Sequence, residues 1–295
     1  MHVVVGGASG FLGSALVDRL TADGHQVTRL VRRPTLSSTE STWDPATGRL
    51  DQVLIDQVDA VVNLSGSPIS SWPRTSARRQ EILSSRIGAT RTLARAVAKA
   101  PTPPVLLSGS GMSWYGVDRG SDLLDESAAP GDGFLAEVSQ QWEDAARPAV
   151  DAGARTVFLR TSMVLGREGG ALKAMLPVFK LGGGARFGSG EQRMSLISRD
   201  DWVGAIVHLL DTQVSGPVNL AMPHSVSNSE FTKALGQALH RPAVMVAPRF
   251  AVKAALGGIA DDLLGSLDLV PAALEGSGFR FQHPDLTSAL DAALR

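Results

Sequence analysis

The chain has 295 residues, a formal net charge of −1 and 43% hydrophobic residues, enough to bury a large core in one or two domains. The near-zero charge gives no electrostatic reason to bind nucleic acid or an acidic membrane surface, so neither is expected as a partner. The lack of cysteine excludes disulfides, thiolate catalysis and cysteine-ligated zinc. The chain starts directly with strand residues and has no apolar stretch near the roughly 20 residues of a membrane span, which predicts a cytoplasmic location.

The chain begins with an apolar run at 3–5, a glycine-rich turn and a helical pattern, an order typical of a dinucleotide site. Backbone N–H groups at a helix N-terminus attract a pyrophosphate, and glycines allow its close approach. The glycines follow the spacing G-x-x-G-x-x-G. We therefore predict cofactor contacts from Gly7, Ser9, Gly10, Phe11, Leu12 and Gly13. The alternative is a tight turn that binds no ligand.

The second predicted strand, 26–31, ends at Arg32 and Arg33. NAD-binding proteins usually place Asp or Glu here, to hydrogen-bond the ribose 2′-OH. A guanidinium would instead bind a 2′-phosphate through paired, charge-assisted hydrogen bonds. The sequence therefore predicts NADP(H) as the cofactor, with Arg32 and Arg33 as phosphate ligands. The alternative is that both arginines are solvated loop charges.

Further apolar runs at 58–64, 105–107 and 156–160 alternate with helical patterns at 75–100 and 134–152. This alternation predicts an α/β protein with a doubly wound parallel Rossmann sheet, in which ligands bind at the carboxyl ends of the strands. The arginines of the 75–100 helix are interpreted as a solvated face. Small or polar residues that follow the strands are added to the predicted cofactor contacts: Leu64, Ser65, Gly66, Ser108, Thr161 and Met163.

Glycine clusters and recurring prolines replace this alternation from about residue 166. We therefore expect a Rossmann domain at 1–165 and a smaller C-terminal substrate lobe at 166–295. Residues of about 201–221 are expected to return to the Rossmann domain.

Several strings resemble those of the extended short-chain dehydrogenases/reductases and, more narrowly, an atypical subgroup called the epimerase family, or nucleoside-diphosphate-sugar epimerase-like proteins. The strings that carry the resemblance include the glycine turn, Asn63-Leu64-Ser65-Gly66, Ser108-Gly109-Ser110, Ser85-Arg86, Trp142-Glu143 and the run 160–166. The resemblance covers nearly the whole chain. It implies an NAD(P)-binding Rossmann domain, a C-terminal substrate lobe and, as in many extended members, a homodimer.

The resemblance also shows what this chain lacks. The usual reaction uses a Tyr as acid/base, a Lys four residues later and a strand-end Ser or Thr, but here Leu135 and Ser139 stand at the Tyr and Lys positions. Ser110 stands at the strand-end position, and Tyr115, the only tyrosine, follows five residues later. We predict Ser110 and Tyr115 as catalytic residues, with packing as the alternative role for Tyr115.

Other polar residues are weaker candidates. Arg193 is either an anion ligand or an ordinary surface arginine, and Asp200 and Asp201 are interpreted as acids of a helix N-terminus. The six histidines are scattered without metal-ligand spacing, so no metal is expected.

Two functions remain open. The first is an NADP(H)-dependent oxidoreductase or epimerase-like enzyme acting on a small polar substrate, with nucleotide sugars as one class. Hydride would pass to or from a carbon near Ser110 and Tyr115, with Ser110 polarising the substrate oxygen. The second is a non-catalytic NADP(H)-binding redox sensor, favoured by the missing Tyr and Lys.

Overall fold

In a computed structural model that describes residues 1–69, 75–257 and 260–295, strands and helices alternate along the first two-thirds of the chain. The strands are β1 (His2–Gly6), β2 (Gln26–Val31), β3 (Glu40–Thr42), β4 (Ala60–Asn63), β5 (Val105–Gly111), β6 (Leu123–Leu124), β7 (Thr156–Thr161), β8 (Met163–Leu165), β9 (Ala185–Phe187), β10 (Arg193–Met194), β11 (Leu196–Ser198), β12 (Gly216–Leu220), β13 (Val226–Ser227), β14 (Met245–Ala247) and β15 (Asp268–Leu269). The helices are α1 (Phe11–Ala22), α2 (Gln52–Ile55), α3 (Ser76–Lys99), α4 (Phe134–Asp144), α5 (Arg147–Asp151), α6 (Gly170–Lys180), α7 (Arg199–Asp211), α8 (Asn228–Ala238), α9 (Arg249–Leu256), α10 (Ala260–Leu264), α11 (Ala272–Gly276) and α12 (Leu286–Leu294). A short 3₁₀ helix spans Met112–Tyr115.

Seven strands form the main sheet, in the order β12-β7-β5-β4-β1-β2-β3. The pairs β1–β2, β1–β4, β2–β3 and β4–β5 are parallel, and Val4 of β1 is opposite Thr28 on one side and Val61 on the other. The chain therefore leaves β1 in one direction along the sheet and later returns to its other side at β4. This reversal defines a doubly wound sheet and confirms the predicted Rossmann fold.

The apolar runs form the core of this sheet, as their unbroken hydrophobic character predicts for strands covered on both faces. Val3, Val4 and Val5 are fully buried, and Leu16 and Leu20 of α1 are buried with them. A core cluster joins residues of β1, β4 and β5 to the apolar face of α3 and to Ala146 and Ala149.

The chain divides into two compact units that exchange several segments. The sheet unit consists of Met1–Gly111, Glu137–Arg160 and Ala205–Val218, and the lobe unit of Met112–Ala136, Thr161–Gly204 and Asn219–Arg295. This division differs from the predicted boundary at 165, because residues 112–136 and 161–165 belong to the lobe unit. The two units are of nearly equal size, whereas the sequence predicted a smaller lobe.

The lobe unit contains short paired strands and several helices. The strand pairs are β10–β13, β11–β8, β14–β9 and β15–β6. Its main core includes Leu172, Leu176, Phe179, Phe231 and Leu290, from α6, α8 and α12. Helix α8 begins with a capping box, in which Ser227 and Glu230 each bind the other's backbone N–H.

One predicted helix differs from the structure. The pattern over 134–152 forms two helices, since α4 ends at Asp144 and α5 starts at Arg147 with Pro148 in its first turn. Helix α3 keeps nearly its predicted length and begins after Thr75, whose hydroxyl caps the N–H of Arg78. None of the helices in the described ranges is long and apolar enough to cross a membrane.

Candidate cofactor-binding site

The glycine turn between β1 and α1 has the backbone geometry that a phosphate-binding turn requires. Gly7 has a φ of +78°, and a Cβ there would lie 2.6 Å from the carbonyl oxygen of Leu64. A Cβ at Gly13 would lie 2.2 Å from the carbonyl oxygen of Gly7. Only glycine therefore fits at these two positions, the first for backbone conformation and both for close packing.

The N-terminus of α1 faces an open side of this turn. Gly10 is the N-cap residue and has no side chain to cap the helix, and its N–H donates to the carbonyl oxygen of Gly7 at 3.0 Å. Ser9 and Gly10 are exposed, whereas Phe11 and Leu12 are half-buried. The first turn of α1 carries no acidic residue. The positive end of the helix dipole is therefore suited to a phosphate, and the residues present fit a dinucleotide.

Arg32 and Arg33, after β2, have different surroundings. Arg33 forms a bidentate pair with Glu40, with Nη1–Oε2 and Nη2–Oε1 distances of 2.9 and 2.8 Å. These hydrogen bonds, with one from the Leu36 N–H, lower the pKa of Glu40 to about 2. Arg32 is exposed and makes no ion pair with any residue in the described part of the chain. Of the two predicted phosphate ligands, Arg32 is therefore the one whose guanidinium is not paired with a carboxylate.

The residues that follow β4 lie against the glycine turn. Asn63 is fully buried, with its Oδ1 accepting the N–H of Ser65 at 3.1 Å and its Nδ2 donating to Thr90 at 2.8 Å. A Cβ at Gly7 would lie 2.9 Å from the Ser65 nitrogen, which shows how closely the two segments approach. The predicted contacts Leu64 and Ser65 therefore share the carboxyl edge of the sheet with the glycine turn.

Arg86 of α3 is buried, which corrects its interpretation as part of a solvated face. It is 9% exposed, and its guanidinium carbon lies 4.9 Å from the centre of the Trp142 ring. Trp142 is held in place because its indole N–H donates to Thr90 Oγ1 at 2.8 Å. Burial, with a smaller contribution from Arg78, lowers the pKa of Arg86 to about 10. Arg86 is therefore still charged at neutral pH.

Ser110, near the end of β5, belongs to a buried polar cluster. Its hydroxyl donates to Glu143 Oε1 at 2.7 Å, and Arg160 Nε donates to the same oxygen at 3.0 Å. Arg160 Nη2 also donates to Glu143 Oε2 at 3.1 Å. All three side chains are buried, and Ser108 on the same strand is fully enclosed. The single proton of the Ser110 hydroxyl is thus used by Glu143, which leaves its lone pairs for a ligand.

Tyr115 lies in the lobe unit and is fully buried. Its hydroxyl is 2.7 Å from Asn219 Oδ1 and 3.1 Å from the carbonyl oxygen of Asp125. The Asn219 amide is oriented by donating to the carbonyl oxygens of Leu124 and Val270. These contacts favour the packing role that the sequence left open for Tyr115 over the acid/base role.

The remaining candidates also lie in the lobe unit. Thr161 Oγ1 accepts the indole N–H of Trp202 at 3.1 Å, and half-buried Met163 packs against the main lobe core. Arg193 donates from Nε to Ser225 Oγ and Asp268 and from Nη2 to the Ser225 carbonyl oxygen, so these two nitrogens are used within the lobe unit. Asp201 accepts the N–H groups of Gln282 and His283, and therefore anchors the C-terminal segment.

Glu143 and Arg160 had no predicted role in the site. The string Trp142-Glu143 was a signal, because it belongs to the family resemblance and places a carboxylate directly after an aromatic residue. No group of three His, Asp or Glu side chains suited to a metal ion occurs within the ranges that the structure describes.

The fold and the glycine turn define a nicotinamide-dinucleotide-binding protein of the short-chain dehydrogenase type. The family model of the NAD dependent epimerase/dehydratase family matches residues 3–221, and a domain of unknown function, DUF1731, matches 247–293. The chain belongs to the NAD dependent epimerase/dehydratase family, in agreement with the resemblance noted in the sequence.

Relatives match over nearly the whole chain. An epimerase family protein of Mycobacterium leprae is 43% identical over 293 residues, which cover 99% of this chain and 95% of that protein. The crystal structure of human epimerase family protein SDR39U1 (isoform 2) with NADPH has a TM-score of 0.90 and 36% identity, and the match covers 99% of both chains. A nucleoside-diphosphate sugar epimerase from Corynebacterium glutamicum has a TM-score of 0.82 and 32% identity, over 100% of this chain and 58% of that one.

Proposed function

We propose that this protein is an NADP(H)-dependent oxidoreductase or epimerase-like enzyme that acts on a small polar substrate. The glycine turn carries this proposal, because Gly7 and Gly13 leave room only for backbone and the first turn of α1 offers its positive end to a pyrophosphate. The NADPH-bound human relative supports the cofactor. The Corynebacterium relative, a nucleoside-diphosphate sugar epimerase, supports nucleotide sugars as the substrate class.

Arg32 would select the phosphorylated cofactor. Its guanidinium is exposed at the end of β2, and Glu40, the nearby carboxylate, is neutralised by Arg33. A 2′-phosphate at this position would therefore meet a cation without an opposing carboxylate. Leu64 and Ser65, which pack against the glycine turn, would line the same ligand, and so would Gly66 and Ser108 along the carboxyl edge of the sheet. Thr161 and Met163 remain proposed cofactor contacts from the lobe unit.

Bound NADP(H) would supply the hydride acceptor or donor. Ser110 would orient the substrate. Because its hydroxyl proton is directed at Glu143, Ser110 would accept a hydrogen bond from a substrate hydroxyl rather than donate one to a carbonyl. This changes the predicted polarising role of Ser110. The Glu143–Arg160 pair would keep the Ser110 hydroxyl in one orientation.

Titration of the purified protein with NADPH and NADH, followed by calorimetry, tests the cofactor. We expect tighter binding of NADPH, and a reversed preference in Arg32→Asp because the carboxylate repels a 2′-phosphate and accepts the 2′-OH. Arg95→Asp, at an exposed position of α3, is the matched control and should keep the wild-type preference. An unchanged preference in Arg32→Asp would show that Arg32 is not the phosphate ligand. Binding of neither nucleotide would refute the proposed function itself.

A redox sensor is the second candidate function, and the burial of Tyr115 favours it. With Leu135 and Ser139 at the usual Tyr and Lys positions, full burial of the only tyrosine removes the remaining phenol from direct chemistry. A sensor should bind NADPH and NADP⁺ with different affinities and change its hydrogen exchange on binding. An enzyme should lose turnover on an identified substrate in Ser110→Ala while its NADP(H) affinity stays the same.

A homodimer and a cytoplasmic location are also part of the proposal, the first from the family resemblance and the second from the sequence composition. Sedimentation equilibrium tests the dimer directly. A mass equal to the 30.9 kDa chain at all concentrations would refute it.

A further inference from the structure

Large apolar side chains are exposed to solvent near the end of α6 and the start of α9. Leu181 is 89% exposed, Val244 85% and Phe250 76%. Leu181 follows the end of α6, Val244 precedes β14, and Phe250 lies in the first turn of α9. We call these residues the lobe patch, together with three further exposed apolar residues of the same segments, Val178, Met245 and Val246. Exposed apolar side chains that cluster among polar residues mark an interaction surface.

Two neighbouring segments of the lobe unit carry the patch. Strands β9 and β14 pair in parallel. Before the strands, Arg241 Nε donates to the carbonyl oxygen of Lys180 at 2.9 Å. After them, the N–H of Gly188 donates to the carbonyl oxygen of Ala247 at 2.9 Å. The chain that follows α6 therefore runs beside the chain that precedes α9, and the residues of the lobe patch lie in one region.

The elements that carry the lobe patch are rich in cations and contain no acidic residue. Across 169–190 and 231–260 the sequence has seven Lys or Arg and no Asp or Glu, in a chain whose net charge is −1. The seven are Lys173, Lys180, Arg186, Lys233, Arg241, Arg249 and Lys253. Within the described part of the chain, only Lys253 of this set forms an ion pair, with Asp261 at 2.9 Å. The charge of the whole chain gave no reason to expect an acidic membrane surface as a partner, but it conceals this basic region and an acidic remainder.

Several of the cations are next to residues of the lobe patch. Lys180 precedes Leu181, and Arg241 contacts the Lys180 carbonyl oxygen. On α9, Phe250 and Lys253 are both exposed and stand three residues apart, so they share one face of the helix. Basic side chains beside projecting apolar ones suit a surface that lies on anionic lipid. The apolar groups enter the boundary between headgroups and acyl chains, and the cations attract the headgroups.

The exposure and the charge of the lobe patch favour a lipid surface over another protein chain. Leu181, Val244 and Phe250 are more than three-quarters exposed, so they project from the surface and do not line a groove. A protein partner would need a complementary pocket for each of them. A second copy of this chain, docked through the same patch, would bring like charges together. An anionic lipid surface attracts the cations and receives apolar side chains at any spacing.

We propose that the lobe patch and its cations dock this protein on an anionic lipid surface. Leu181 and Phe250 would enter the boundary between headgroups and acyl chains, while Lys180 and Arg249 would contact lipid phosphates. The rest of the chain would stay in water, as in other proteins that lie on a membrane. The inference goes beyond the proposed function, because no residue of the patch is a proposed cofactor contact.

Co-sedimentation of the full chain with vesicles of two compositions tests the docking. The first vesicles contain phosphatidylcholine and phosphatidylglycerol in equal parts, and the second contain phosphatidylcholine alone. We expect binding to the anionic vesicles, much weaker binding to the neutral ones, and release at high salt because salt screens the headgroup charge. Absence of binding to the anionic vesicles, or equal binding to both compositions, would overturn the inference.

Substitutions within the lobe patch locate the contact. Leu181→Ser and Phe250→Ser should each weaken vesicle binding by about tenfold, since an apolar side chain is no longer buried in lipid. Lys180→Gln should weaken it by about fivefold, the effect of one cation near an anionic surface. Leu123→Ser and Lys99→Gln, at exposed positions outside the patch, are the matched controls and should bind like wild type. Losses in the controls equal to those in the patch variants would refute the assignment.

Oligomeric state and cofactor binding separate this inference from the alternatives. If sedimentation equilibrium without lipid shows a dimer that Leu181→Ser dissociates, the lobe patch covers a second copy and the lipid proposal is wrong. NADPH affinity, measured by calorimetry, should be the same in wild type, Leu181→Ser, Phe250→Ser and Lys180→Gln. Unchanged affinity also shows that the variants are folded, so a loss of vesicle binding is then a loss of the lipid contact.

Discussion

The buried Glu143–Arg160 pair gives a stability prediction that can be worked from its geometry. Glu143→Gln keeps the shape of the side chain but removes the charge that compensates Arg160. The two carboxylate oxygens of Glu143 accept hydrogen bonds from Ser110 and from two nitrogens of Arg160. An amide can replace only one of these oxygens as an acceptor, so its NH₂ group would face a donor of Arg160 or Ser110.

The expected loss is large because both partners are buried, at 7% and 3% exposure. Removing one partner of a buried pair leaves an uncompensated charge and costs about 3–5 kcal/mol. This is a substantial part of the roughly 5–15 kcal/mol that stabilises an ordinary domain. With an m-value of about 3 kcal/mol per molar urea, the unfolding midpoint should fall by about 1–2 M.

Urea unfolding followed by circular dichroism is the assay, with Asp144→Asn as the matched control on the same helix. The Asp144 side chain is 68% exposed and, within the described ranges, pairs only with equally exposed Arg147, so its loss should cost less than about 1 kcal/mol. The double variant Glu143→Leu with Arg160→Met should be more stable than Glu143→Gln, since it leaves no unpaired charge. A loss in Glu143→Gln no larger than in Asp144→Asn would refute the reasoning.

Two further predictions concern residues of the glycine turn and the lobe unit. Tyr115→Phe should lower the free energy of unfolding by about 1–3 kcal/mol, because the buried Asn219 Oδ1 loses its donor. The same variant should leave NADPH affinity unchanged. A calorimetric loss of affinity without a loss of stability would contradict the packing role. Gly13→Ala should weaken NADPH binding at least tenfold and lower the melting temperature, since its Cβ would lie 2.2 Å from the Gly7 carbonyl oxygen. Gly276→Ala, where a Cβ meets nothing within 4 Å, is the control for that variant, and an equal response of the two would refute the close-packing argument.

The sequence predicted the sheet well, because short-range signals determine its elements. Val3, Val4 and Val5 form an uninterrupted apolar run before three glycines at fixed spacing, and small residues mark the ends of β4 and β5. The start of α3 follows from a capping threonine that is visible in the sequence. These features act over a few residues and require no knowledge of the tertiary structure.

The polar contacts of the site could not be predicted in the same way. Tyr115 meets Asn219 across 104 residues of sequence, and Glu143 meets Arg160 across 17, with no periodicity that links either pair. Arg86 lies on a helix with several exposed arginines, so its residue type gave no sign of burial. The composition of the two units also depends on long-range contacts, which place residues 112–136 in the lobe unit.

The division into interleaved units has a consequence for synthesis on the ribosome. The edge strand β12 follows the lobe segment 161–204 in the chain, so it leaves the ribosome after that whole segment. Until then β7 is an exposed edge, with unpaired N–H and carbonyl groups that could pair with another chain. The nascent sheet therefore depends on a late segment to protect it from aggregation. A premature stop at residue 204 should yield an aggregating fragment rather than an independent nucleotide-binding domain.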